Sequence, residues 1–152
     1  MAWKKANSFT AAGGTEIDSL PSGSIAYLAT VFDNSTVLDT VLFLSMNLAS
    51  VAPSATNPSL GVYVLPLNAD GQTYGDQAAS VLGTQQTALP SFEYYFGPMT
   101  VPSSSTAAVQ NGTTELPKDL PPGKYAIGLA NNLGSALGAS GNTIQYATNS
   151  QA

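Results

Sequence analysis

The sequence predicts an all-β protein: a single β-sandwich of jelly-roll or Greek-key type over residues 21–152, preceded by a flexible N-terminal arm over residues 1–20. Three observations predict it. Apolar residues recur with period two in several short runs. Gly and Pro, 14 and 10 of the 152 residues, punctuate those runs. No segment carries the apolar spacing of an amphipathic helix.

Residues 1–20 show no sustained period, and Ala11-Ala12-Gly13-Gly14 is a flexible stretch, so the segment reads as an arm. Lys4 and Lys5, two of the four cations, and Trp3, the only Trp, sit in it. Two readings of its aromatics stand. Trp3 and Phe9 anchor on a partner, or they fold back onto their own domain.

Pro21-Ser22-Gly23 opens a strand over 24–32, in which Ile25, Tyr27, Ala29 and Val31 alternate. Asp33-Asn34-Ser35 then turns the chain, each residue tolerating the backbone shapes of a tight turn. Over 36–49, Leu38, Leu42, Leu44, Met46 and Leu48 share one face with Thr40. Asp39, Ser45 and Asn47 share the other with Val37, Val41 and Phe43, so this strand has one core face. A loop with Pro53 and Pro58 leads to a strand over 60–65.

After a long loop over 68–83, Phe92-Glu93-Tyr94-Tyr95-Phe96 reads as an aromatic strand continuing through Met99 and Val101. A Ser/Thr-rich stretch holds one short strand, 107–110. Pro121-Pro122-Gly123 turns the chain into a strand over 124–130, where Tyr125, Ile127 and Leu129 alternate with smaller residues. The last strand covers 142–148. The expected core contains Leu38, Leu42, Leu44, Met46, Val62, Val64, Tyr125, Ile127 and Leu129.

Composition narrows the function. The chain has no Cys and no His, and its four cations are all Lys; charged residues make up 9% and hydrophobic ones 43%. An ordinary globular domain carries about a quarter charged residues. Most reactions at neutral pH lean on His, Cys, Arg or a metal held by such groups, so the expectation is no enzyme, no cofactor and no metal. Net charge is −5, which repels phosphate backbones and argues against nucleic acid. The first residues are polar rather than a secretory leader, and the longest apolar stretch is too short and too polar to span a bilayer. These features predict a protein made in a cytoplasm that starts at its initiator Met. A surface this poor in charge points to a covered, self-associating protein.

The motifs with chemical potential each have a plainer reading. Asn68 to Thr73 with Asp76 offers oxygen ligands to a hard cation, but Asp70-Gly71 is a turn dipeptide and the pattern lacks the acids of an EF-hand loop. Paired acids for glycoside cleavage are Glu16/Asp18, Asp33/Asp39, Asp70/Asp76 and Glu115/Asp119, and no pair has a distinguishing spacing. In the aromatic segment, alternation places Phe92, Tyr94 and Phe96 in the core and Tyr95 outside, where Tyr95 is a candidate partner contact. Asn34-Ser35-Thr36 and Asn111-Gly112-Thr113 match the glycosylation pattern and read as surface turns.

Three stretches together resemble a known group. They are Asp33-Asn34-Ser35-Thr36 leading into the long strand; Val62 to Leu67 followed by Gly71-Gln72-Thr73-Tyr74-Gly75-Asp76; and Leu120 to Tyr125 followed by Ala139 to Thr143. In this order they resemble small virion structural proteins of tailed bacteriophages, over most of Leu20 to Thr148. The motifs are turn-and-strand signatures that carry no chemistry. The resemblance implies a capsid decoration, or cement, protein with a jelly-roll fold, a homo-oligomer and most simply a trimer. Its partner would be the major capsid protein and its location the virion, after synthesis in the host bacterial cytoplasm. Partner contacts would then fall to Trp3, Lys4, Lys5, Phe9 and Tyr95. Similar proteins sit on tails or baseplates or bind receptors and glycans, and a free-standing carbohydrate-binding domain is a third reading.

Overall fold

The computed structural model describes residues 10–36, 41–101, 108–116 and 120–149. Ten strands appear in chain order: β1 Thr10–Gly13, β2 Ile25–Tyr27, β3 Phe32–Asp33, β4 Val41–Val51, β5 Ser59–Pro66, β6 Gln85–Gln86, β7 Tyr95–Thr100, β8 Ala108–Leu116, β9 Lys124–Asn132 and β10 Thr143–Asn149. Two 3₁₀ turns, Thr15–Ile17 and Phe92–Tyr94, are the only helical pieces among the described residues. The all-β expectation holds.

The strands form two antiparallel sheets, one in the order β1-β10-β4-β8, the other β6-β2-β9-β5-β7 with β3 also on β9. The pairing has a simple logic. β5 pairs β7, β4 pairs β8, β2 and β3 pair β9, and β1 pairs β10, like successive rungs of one folded ribbon. Rolling that ribbon brings β10 against β4 and β9 against β5, which closes two sheets into a jelly roll.

Between the sheets lies the main core. Leu44, Met46 and Leu48 of β4 face Leu60, Val62 and Val64 of β5 and Tyr125, Ile127 and Leu129 of β9. The expected core residues among them, Leu44, Met46, Val62, Val64, Tyr125, Ile127 and Leu129, are all buried. Leu38 lies outside the described residues, as does the side chain of Leu42.

Three expectations change. The segment 24–32 is not one strand: β2 pairs Tyr27 with Gly128, and β3 resumes with Phe32 opposite Tyr125. Four residues, 28–31, lie opposite two, 126–127, so the chain bulges between the pairs. Nor do residues 10–20 form part of an arm. Thr10 and Ala11 pair with Tyr146 and Gln145, and Ala12, Ile17 and Leu20 are buried in the main core. Removing those side chains from water holds the segment down, so residues 10–20 belong to the sandwich. The 107–110 strand is longer than expected, running from Ala108 to Leu116 along β4.

The six-stranded sheet is buried on both faces. Ile25, Tyr27, Tyr63, Leu65, Ala126 and Ala130 point away from the main core, yet each is buried. The β5–β7 excursion, residues 67–94, covers them with Leu67, Tyr74, Val81, Leu82 and Tyr94. What reads as a long loop is a third layer. Gly128 makes it possible, because Tyr27 and Tyr63 flank it in register on either side. A Cβ there would come within 2.8 Å of Ile25 Cδ1 and 3.1 Å of Tyr27 Cε1.

Candidate functional site

The excursion over 67–94 carries two surface features, an aromatic ridge and a polar cleft. Residues 92–94 form a 3₁₀ turn rather than strand. A turn with three residues per repeat breaks the alternation that would have sent Phe92 inward. Phe92 is instead 76% exposed, and with Leu89 at 48% it is one of two exposed large hydrophobics among the described residues. This corrects its expected core position.

Tyr95, the expected outward residue, begins β7 and is half-buried. Its ring stacks on Phe92 at 5.1 Å and 26° and meets Tyr63 at 5.2 Å. Tyr94 packs edge-on against Tyr74 at 6.2 Å, and Phe96 packs against the main core. Phe92 therefore stacks on a half-buried ring, Tyr95, which in turn meets the buried Tyr63, while most of Phe92 meets solvent. Burial, and then the neighbouring Tyr95, raises the Tyr63 hydroxyl above its usual value, so it stays a neutral phenol. Trp3, Lys4, Lys5 and Phe9 lie outside the described residues.

The cleft, about 400 Å³, lies between β3, β9 and the 70–72 turn and is lined by Val31, Asp33, Asp70, Gln72, Leu82 and Lys124. The sequence pairs Asp33 with Asp39 and Asp70 with Asp76; the fold sets Asp33 and Asp70 on the lining of one cleft. Nothing in their spacing signals this, because the meeting depends on how the excursion folds back over β9. Asp33 accepts from the Ser35 amide at 2.9 Å and hydroxyl at 2.5 Å, and its other oxygen lies 4.0 Å from Lys124 Nζ. Asp70 accepts from the amides of Gln72 and Thr73 at 2.8 and 2.9 Å and from the Thr73 hydroxyl at 2.5 Å. Asn68 closes the turn by donating from Nδ2 to Thr73 Oγ1 and the Gly75 carbonyl. The loop is built as the turn reading of 68–76 expects.

These bonds set the chemistry. The Ser35 hydroxyl holds Asp33 below the usual carboxylate range, and the Thr73 hydroxyl does the same for Asp70. Glycoside cleavage needs one carboxyl raised so that it can deliver a proton. Neither meets that need; both are fixed acceptors. Among the described residues no three His, Cys, Asp or Glu side chains gather to hold a metal.

Glu16 and Asp18 are structural. Glu16 accepts from the Gly14 and Ala29 amides, and Asp18 accepts from Asn142 Nδ2 at 2.6 Å. Asp39 and the side chains of Glu115 and Asp119 lie outside the described residues. The acceptor asparagines of the glycosylation motifs are not surface turn residues, although Ser35 and Thr36 of the first motif form an exposed turn. Asn34 is buried, donating from Nδ2 to the Leu120 carbonyl at 3.2 Å, and Asn111 sits in β8 opposite Asn47.

Compared with known proteins, the chain matches no family model, no curated protein and no solved structure.

Proposed function

We propose that this protein is a non-enzymatic virion structural protein of a tailed bacteriophage, a decoration protein that binds and stabilises a shell of major capsid subunits as a homo-oligomer. The observation that carries the reading is Phe92. In a chain that buries nearly every other large apolar side chain described, it is 76% exposed and braced from beneath by Tyr95. An exposed ring already stacked on a neighbour loses less freedom on contact and suits a docking anchor. The jelly roll supports the reading by analogy, since viral shell and lectin domains use it. A fold held without disulfides also suits a protein made in a reducing cytoplasm. Residues 1–9, with Trp3, Lys4, Lys5 and Phe9, supply a second contact on this reading.

Quantitative mass spectrometry of purified particles tests it. The expected copy number scales with that of the major shell subunit. Absence from particles, or a few copies confined to tails, overturns the shell assignment. Phe92→Ala should keep the fold, because an exposed ring contributes little to it, while losing affinity for particles stripped of the protein.

The cleft at Asp33, Asp70 and Lys124 favours the second reading, a tail, baseplate or receptor-binding component, because it offers a small ligand both donors and acceptors.

A further inference from the structure

We propose that the cleft between β3 and the 70–72 turn binds a neutral saccharide. Its lining combines three chemistries within about 400 Å³: the carboxylates of Asp33 and Asp70, the ammonium of Lys124 with the Gln72 amide, and the apolar side chains of Val31 and Leu82. Ligand pockets span about 300–1,000 Å³, so a sugar ring or two fits. A pyranose presents the complement. Its neighbouring hydroxyls donate to a carboxylate and accept from an ammonium or amide, while its C–H face lies on apolar side chains.

The two carboxylates are set before any ligand arrives. Ser35 holds one oxygen of Asp33, and Gln72 and Thr73 hold Asp70. Lys124 leans over Gly71, where an added Cβ would lie 3.5 Å from its Cδ and 3.8 Å from its Nζ. Groups already ordered cost less to engage. Both carboxyls stay ionised through the physiological range, because hydrogen bonds to hydroxyls and amides favour the charged form. They accept from a sugar without being able to protonate its glycosidic oxygen, so the site binds and does not cleave.

Charge selects the ligand class. Two carboxylates against one ammonium repel acidic sugars. The ammonium beside Asp33 disfavours a second cation, such as a basic side chain of a partner. A neutral ligand avoids both penalties. The inference rests on the cleft alone and not on shell binding, so either can fail while the other stands.

The test is a titration of the full chain by amide NMR with glucose, galactose, mannose, N-acetylglucosamine, maltose and lactose, alongside glucuronate and a lysine-rich peptide. At least one neutral sugar should shift the Gly71, Gln72 and Lys124 amides saturably. Lys124→Met and Gln72→Ala should each weaken that binding about tenfold, as loss of a ligand hydrogen bond predicts, while spectra elsewhere stay unchanged. No saturable shift at those amides with any neutral sugar overturns the proposal. So do shifts there with glucuronate or the peptide alone, and so does sugar binding that neither variant weakens.

Discussion

The Glu16 carboxylate accepts the Ala29 amide at 2.8 Å, tying the N-terminal segment to the chain just beyond β2. Its second oxygen accepts the Gly14 amide at 2.9 Å. Burial alone would raise this carboxyl, but the Gly14 and Ala29 amides with the Thr15 hydroxyl outweigh it, and the net shift is downward. A folded value below the unfolded one means the stabilisation is present above the ordinary carboxylate range and fades as pH falls through the folded value. Glu16→Gln should therefore lower stability by about 1 kcal/mol at neutral pH. The gap to wild type should close in acid. A gap that stays constant down to pH values where all carboxylates are protonated would refute the linkage.

Leu20 is fully buried, and its carbonyl accepts the Asn131 side chain at 2.8 Å and the Leu137 amide at 3.1 Å. Leu20→Ala should cost about 2–5 kcal/mol, as for other fully buried leucines. Deleting residues 1–20 should prevent cooperative folding, because it removes β1, Ile17 and Leu20 together. Deleting residues 1–9 should not. Thermal unfolding of the two truncations separates these outcomes, and equal melting temperatures would contradict the packing described.

Gly128 lies between Tyr27 and Tyr63 on the face covered by the 67–94 excursion. Gly128→Ala places a methyl against Ile25 and the Tyr27 ring and should cost about 1–3 kcal/mol through overpacking. The damage should be local, with chemical shifts moving at Tyr27, Tyr63 and Tyr74 more than in the main core. A stabilised variant would mean that this layer packs more loosely than described.

β9 is central in its sheet, flanked by β2 and β5 and buried from Tyr125 to Asn131. Its amides should exchange with solvent only on near-global unfolding, whereas those of the two-residue edge strand β6 should exchange through local opening. Native-state hydrogen exchange reads this directly. Protection in β6 matching that of β9 would be inconsistent with the strand order.

Period two in the sequence determined that Leu44, Met46, Val62, Val64, Tyr125, Ile127 and Leu129 face a core, and each is buried. Gly, Pro, Asn and Asp marked most of the turns, because their backbone freedoms are local properties. Tyr95 was legible as the outward residue of the aromatic segment, and the structure leaves it half-buried. Phe92, its partner in the stack, was not, because a 3₁₀ turn displaced the alternation that would have buried it.

The rest depended on residues far apart in the chain. Alternation says that a residue lies on one of two faces, but not which strand runs beside it or whether the second face is covered. Thr10 finds Tyr146, Asp33 shares a cleft with Asp70, and residues 67–94 fold back to seal Tyr27 and Tyr63 from water. Each of these contacts exists only because the ribbon rolls into two sheets. The sequence by itself therefore determined strands, turns and one core face, while the tertiary structure decided the jelly roll, the third layer and both candidate surfaces.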